Sequence, residues 1–139
     1  MNGQTLAKHL VMYVDDDRDD IHLMQEALER YPNVELISFT DSCKFLNYII
    51  ESKPFKRLPS LILIDINMPF LDGRNLLTML RSYEELKKVK MVLYTTSSNP
   101  ADVQFAKSLD AGFLTKPVSV KQLNQTIQQL LMECQFIFG

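Results

Sequence analysis

The sequence has no tryptophan, only four glycines and two cysteines, and neither sign of charge dominates it. Each scarcity excludes something. Cys43 and Cys134 are too few and too far apart to staple a small secreted scaffold; both fall at apolar helical positions, where buried reduced thiols are expected. A net charge of −2 without any Lys/Arg block offers no face that could track phosphates, so nucleic acid is not an expected partner. No apolar run reaches the roughly 20 residues that cross a bilayer, and the N-terminus lacks the charged, apolar and small order of a signal peptide. No membrane association is expected, and a reducing cytoplasm is the expected location. At 139 residues the chain can bury a core without disulfide or metal. One domain over residues 1–139, with its core from about 9 to 135, is the simplest division.

What is present is an alternation. His9–Val14, Val34–Phe39, Leu61–Ile64, Lys90–Tyr94 and Phe113–Thr115 are short apolar runs, near-continuous as in parallel strands covered on both faces. Between them, Ile21, Met24 and Leu28 mark a helix by their spacing. Ser42–Ile50 and Asn75–Arg81 suggest two more, and Asn99 with Pro100 starts a fourth as N-cap and first helical residue. The last helix begins at Ser119 and keeps Val120, Leu123, Ile127, Leu130 and Cys134 on one stripe. The segment 52–59 reads as a solvated connection. Strands alternating with helices predict a doubly wound α/β fold with five parallel strands and five helices. In such folds sites form beyond the carboxyl ends of the strands.

At those ends stand Asp15, Asp16 and Asp17 after the first strand, Asp65 after the third, Thr95, Thr96 and Ser97 after the fourth, and Lys116-Pro117 after the fifth. Singly, each has an ordinary reading: helix capping for the acids, a turn for Asp65, a loop hydroxyl, a surface lysine. Together they bring carboxylates, a hydroxyl and an ammonium to one rim. Clustered carboxylates resist joint ionisation unless a cation joins them. Mg²⁺ suits such a cluster because it takes one or two carboxylates and keeps waters that a phosphate can replace. An ionised Asp65 could then act as a nucleophile towards phosphorus, with the metal, Lys116 and the Thr95 hydroxyl receiving the phosphoryl oxygens.

Val14-Asp15-Asp16, the run Leu63-Ile64-Asp65-Ile66-Asn67-Met68-Pro69-Phe70-Leu71-Asp72-Gly73, Thr95-Thr96 and Phe113-Leu114-Thr115-Lys116-Pro117 together resemble the receiver domain of two-component response regulators. The likeness runs from about His9 to Leu130. It implies the flavodoxin-like strand order 2-1-3-4-5 and a signalling phosphoacceptor that catalyses only its own phosphorylation and dephosphorylation. By the resemblance Asp65 is the phosphoacceptor. Asp16 and Asp65 ligate Mg²⁺ directly, Asp15 helps through water, and the Asn67 backbone carbonyl completes the set. Thr95, chosen over Thr96 on spacing alone, is the switch hydroxyl, Phe113 the aromatic switch and Lys116 the phosphoryl partner. The implied phosphodonor is a sensor histidine kinase or a histidine phosphotransfer protein.

With no room expected for an output domain past the fifth helix, the chain would bind a downstream protein or pass the phosphoryl group on. The family's signalling face would present Asp102, Lys107, Phe113, Lys121 and Gln125. The apolar tail Phe136-Ile137-Phe138 would pack on the chain's own helices or join two copies in a homodimer. Three other functions compete. A flavin carrier would need a Ser/Thr/Gly phosphate loop where this chain has three Asp. A haloacid dehalogenase-like phosphatase would place its nucleophile after the first strand. A receiver-like interaction module would work without phosphorylation. His9 and His22 have no matching ligand near them in sequence and read as structural.

Overall fold

The strands form on the short apolar runs, unbroken in β3 Leu61–Ile64, entered through His9 in β1 His9–Val14 and Lys90 in β4 Lys90–Thr95, and interrupted by Glu35 and Ser38 in the edge strand β2 Val34–Phe39; β5 Gly112–Thr115 is the other edge. The computed structural model describes residues 9–53 and 57–134. All strand pairings are parallel, in the order β2-β1-β3-β4-β5, which is the flavodoxin-like order expected. Alternate side chains divide between two cores, as the pleat requires. Leu10, Met12, Val14, Ile62, Ile64, Met91 and Leu93 face one of them. Val11, Tyr13, Leu61, Leu63, Val92 and Tyr94 face the other.

The helices are α1 Arg18–Leu28, α2 Ser42–Glu51, α3 Gly73–Arg81, α4 Pro100–Ser108 and α5 Val120–Glu133. Phe45 and Ile49 of α2, Leu76, Leu77 and Leu80 of α3 and Ala106 of α4 close the first core. Ile21, Met24 and Leu28 of α1 and Leu123, Ile127 and Leu130 of α5 close the second. Every helix starts on a side-chain cap, from Asp17, Asp41, Asp72, Asn99 and Ser119 in turn, each accepting orphan N–H groups of the first turn. The Asp72 cap starts α3 two residues earlier than its apolar pattern suggests.

Several expectations need correction. Cys43 is exposed, because α2 turns Ser42, Phe45, Leu46 and Ile49 inward and Cys43 lies off that face, and Cys134, at the C-cap of α5, is half-buried. Val120 is 61% exposed and leaves the α5 stripe, which begins at Leu123. Pro59 is buried, so the segment before β3 is only partly solvated; residues 54–56 lie outside the described residues, as does the tail Phe136-Ile137-Phe138. Asp102 is buried and pairs with Arg74, Nε to Oδ1 at 3.7 Å, whose guanidinium also stacks over Phe105. It ties α4 to α3 and is removed from the expected signalling face, while Lys107, Lys121 and Gln125 are exposed and Phe113 is half-buried.

Arg81, the last residue of α3, donates to the carbonyls of Leu86, Lys87, Val89, Leu109 and Asp110 at 2.9–3.2 Å. It fastens the turn Glu84–Leu86 and the α4–β5 connection to one helix end. Asp110 there takes a left-handed φ of 54°, a conformation that Asp tolerates. An Arg81→Ala variant is expected to lose roughly 2 kcal/mol, since charge-assisted bonds to partly buried carbonyls go unreplaced. Urea unfolding measures this, and Arg81→Lys should recover little because an ammonium cannot span the fork.

Candidate phosphoacceptor and metal site

The strand register brings the acidic residues to one edge. Val14 lies opposite Ile64, and Ile64 opposite Leu93. The ladder continues one step past the strands, the Asp15 N–H donating to the Phe39 carbonyl and the Asp65 N–H to the Val14 carbonyl, both at 3.0 Å. Asp15 and Asp65 are therefore neighbours. At the other side Thr95 lies opposite Thr115, and the Lys116 N–H donates to the Thr95 carbonyl at 2.7 Å.

After Asp65 the chain must turn back at once into α3. The Ile66 carbonyl accepts from both Met68 N–H at 3.1 Å and Gly73 N–H at 2.8 Å. A Cβ on Gly73 would overlap the Asp65 carbonyl oxygen, so only glycine lets the helix start against the strand end. Phe70, in the same turn, takes a left-handed φ of 67° with its ring exposed.

Ligand atoms of Asp15, Asp16 and Asp65 all lie within 4.8 Å of one another. Asp15 and Asp65 are buried, at 0% and 5% exposure, and Asp16 is exposed. Both oxygens of Asp15 are engaged: Oδ1 accepts the Asp17 N–H at 2.9 Å, and Oδ2 accepts the buried Tyr13 hydroxyl at 2.5 Å and the Lys116 ammonium at 2.6 Å. Lys116 Nζ also reaches Asp20 Oδ2 at 2.7 Å and stands 3.7 Å from Asp65 Oδ1.

Electrostatics follow from this packing. Burial, with the Asp15 carboxylate beside it, pushes Asp65 up to about 6 despite the opposing pull of Lys116. Burial alone would depress Lys116; hydrogen bonds to Asp15 and Asp20 outweigh it and hold the ammonium above its usual range. Burial and Asp15 together also push the Tyr13 phenol up, and burial raises Tyr94 to about 12.

These residues fit a divalent cation and an oxyanion. Three carboxylates, of Asp15, Asp20 and Asp65, face one ammonium and a fourth, of Asp16, stands beside them, an excess of negative charge that a cation relieves. The fully buried Thr95 Oγ1 has no hydrogen-bond partner among the described residues, a costly state unless an acceptor comes to it.

Of the residues expected from sequence, Asp15, Asp16, Asp65 and Lys116 come together. Thr95 stands buried at the end of the neighbouring strand, while Thr96 is exposed. Asn67 is exposed in the turn after Asp65, and Phe113 packs against the first core. Asp17 alone of the acidic triplet is the helix cap. Sequence reasoning missed Tyr13 and Asp20. Tyr13 sits on a strand pattern that reads as plain core, and Asp20 lies far from Lys116 along the chain; only its place on the first turn of α1 hints at the rim.

Fold and site define a phosphoacceptor module of the two-component kind, and the comparisons agree. Residues 11–128 match the model of the response regulator receiver domain, and the chain belongs to that family. Response regulator Rcp1 of Synechocystis sp. is 30% identical over 132 residues, covering 92% of this chain and 90% of that protein. Among solved structures, the phosphorylated cyanobacterial phytochrome response regulator RcpA superposes with a TM-score of 0.81 at 29% identity, over 90% of this chain and 92% of that one. The Mn²⁺-bound form of Rcp1 superposes with a TM-score of 0.78 at 30% identity, over 88% and 91%. Receiver domains serve phosphorelay signalling with histidine kinases or phosphotransfer proteins, and bind a divalent metal in an acidic pocket. Among the described residues no helix is long and apolar enough to cross a membrane.

Proposed function

We propose that the chain is a single receiver domain, cytoplasmic, in which Asp65 takes a phosphoryl group from the phosphohistidine of a sensor kinase or phosphotransfer protein. An Asp65 oxygen attacks phosphorus, forming an O–P bond as the P–N bond breaks. The histidine nitrogen leaves with the electron pair, and the product is an acyl phosphate. One observation carries the reading: three carboxylates with ligand atoms within 4.8 Å, joined by a lysine ammonium at the strand ends.

Asp16 and Asp65 would hold Mg²⁺, with the Asn67 carbonyl beside them. Asp15, its oxygens already engaged by Tyr13, Asp17 and Lys116, would act through water. Bound Mg²⁺ supplies the positive charge that neutralises the phosphoryl oxygens in the transition state. Lys116 adds a second positive charge on those oxygens, and its contact with Asp65 keeps the nucleophile oriented. Thr95 Oγ1 donates to a phosphoryl oxygen. Turning to do so, it vacates space into which the half-buried Phe113 ring can follow, changing the surface near exposed Lys107, Lys121 and Gln125. A downstream protein, or a second copy of the chain, would read that change.

Incubation with acetyl phosphate and MgCl₂, read by intact mass, tests the proposal. The wild type should gain one phosphate, the gain should vanish with EDTA, and Asp65→Asn should show none. A phosphate adduct on Asp65→Asn equal to the wild type would sink the assignment. No adduct on either would favour an interaction module that works without phosphorylation.

A further inference from the structure

Asp20 is the acid for which the site's chemistry has as yet no use. It lies outside the carboxylate cluster formed by Asp15, Asp16 and Asp65, on the first turn of α1, where its N–H donates to the capping Asp17. Yet its carboxylate meets Lys116 Nζ at 2.7 Å, as closely as Asp15 does. An ammonium carries three N–H donors in a tripod. Two are committed, to Asp15 Oδ2 at 2.6 Å and to Asp20 Oδ2 at 2.7 Å. Asp65 Oδ1, at 3.7 Å, is beyond hydrogen-bond reach, which leaves one donor for an oxygen placed between Lys116 and Asp65.

Lysine has a flexible stem and a point charge, so one anchor would not fix that third donor. Beside Lys116 lies a cavity lined by Asp20, Leu23, Tyr94, Pro117, Val118 and Leu123, and an ammonium held only by Asp15 has room to turn into it. Asp20 stands on the cavity wall and opposes that turn. The side chain is part-exposed, at 27%, so it exchanges with water more readily than Asp15 and leaves the ammonium enough freedom to follow a phosphoryl oxygen.

We propose that Asp20 is a positioning residue for phosphoryl transfer: with Asp15 it holds two donors of Lys116, so that the third is aimed at the phosphoryl oxygens on Asp65. This rests on Asp65 being the phosphoacceptor. Misplacing a charge that stabilises the transition state lowers the maximal rate more than the affinity for the donor.

The test uses the full chain. Initial rates of Asp65 phosphorylation would be followed across acetyl phosphate concentrations for wild type, Asp20→Asn, Asp20→Glu and Asp19→Asn, with Mg²⁺ affinity measured separately by calorimetry. Asp20→Asn should lower the maximal rate roughly tenfold while the half-saturating concentration and the Mg²⁺ Kd stay within about twofold. Asp20→Glu should return to within about threefold of wild type, because the carboxylate is kept. Asp19→Asn removes the same charge from the same helical turn without touching Lys116, and should behave as wild type. The inference falls if Asp20→Asn matches wild type, if Asp19→Asn is equally slow, or if Asp20→Asn weakens Mg²⁺ binding in proportion to the rate. A wild type that takes no phosphate would overturn both this inference and the phosphoacceptor reading beneath it; the other outcomes overturn this one alone.

Discussion

Lys116→Met should cost the metal-free protein roughly 3–5 kcal/mol of folding stability near pH 7, the range seen when one partner of a buried ion pair is removed. The Lys116 side chain is 9% exposed and touches Asp15, which is fully buried. Without the ammonium, Asp15 and Asp65 face each other uncompensated, and the Tyr13 hydroxyl and one backbone N–H cannot neutralise a charge. The sign with pH follows from the raised pKa of Lys116. A base held above its unfolded value contributes fully below that value and loses the contribution only as pH rises past it. The lysine's own contribution should therefore stay constant up to about pH 9, since lysine titrates near 10.4 when unperturbed. The gap from wild type should narrow as pH falls and Asp65 takes up a proton, which removes one of the two buried charges; in the variant this begins at higher pH than in wild type, because Lys116 no longer lowers the Asp65 pKa. Mg²⁺ should restore part of the loss by standing in as the cation. Urea unfolding with and without MgCl₂ measures all of this, and a loss below about 1 kcal/mol would mean that the lysine compensates little.

The opposite effect is expected at Asp65, the proposed phosphoacceptor. Asp65→Asn should stabilise the metal-free protein at pH 7 by up to about 3 kcal/mol, since each tenfold change in proton affinity is worth about 1.4 kcal/mol. Asp65 is raised from 3.8 to about 6, burial being the largest cause and Asp15 the next. The folded state thus keeps the proton longer than the unfolded one, and ionising the group works against folding. That penalty is absent below about 4, grows as pH rises towards 6 and is complete above it. The asparagine variant lacks it, so the two stability curves should meet near pH 4 and separate as pH rises. Saturating Mg²⁺ should bring them together again by stabilising the wild-type carboxylate. An Asp65→Asn curve parallel to wild type from pH 4 to 7 would contradict the electrostatics of the site. The acid proposed to accept the phosphoryl group is thus a source of instability until a cation binds, a common relation at functional sites.

Much of this was legible in the sequence, for identifiable reasons. The strand bounds His9–Val14 and Leu61–Ile64 could be read directly, because central strands buried on both faces are apolar along their length and their ends are marked by polar residues; Val34–Phe39, a half-buried edge strand with Glu35 and Ser38 in it, was legible from its β-branched and aromatic residues. Asn99-Pro100 announced α4 with two independent signals. The start of α3 was less legible, since Gly73 resembles a turn residue until its close approach to the Asp65 carbonyl is known. The carboxylates and the lysine could be placed together because parallel strands put every functional end on one edge. Whether a given side chain turns to solvent or partner is another matter. Asp102 and Val120 both stand in the first turns of their helices, yet one is buried against Arg74 and the other is exposed. Pairings across long sequence separations, such as Asp20 with Lys116, are set by how α1 packs beside α5, which no local pattern records.

The central claim is that Asp16, Asp65, Thr95 and Lys116 form one pocket for a metal-bound phosphoryl group. A crystal structure with Mg²⁺ and beryllium fluoride, a mimic of the acyl phosphate, measures this most directly. The metal should sit on Asp16 and Asp65, and fluorine atoms should lie within hydrogen-bond distance of both Thr95 Oγ1 and Lys116 Nζ. Beryllium fluoride on Asp65 with Thr95 Oγ1 still unpartnered, or a metal bound away from Asp16, would contradict it.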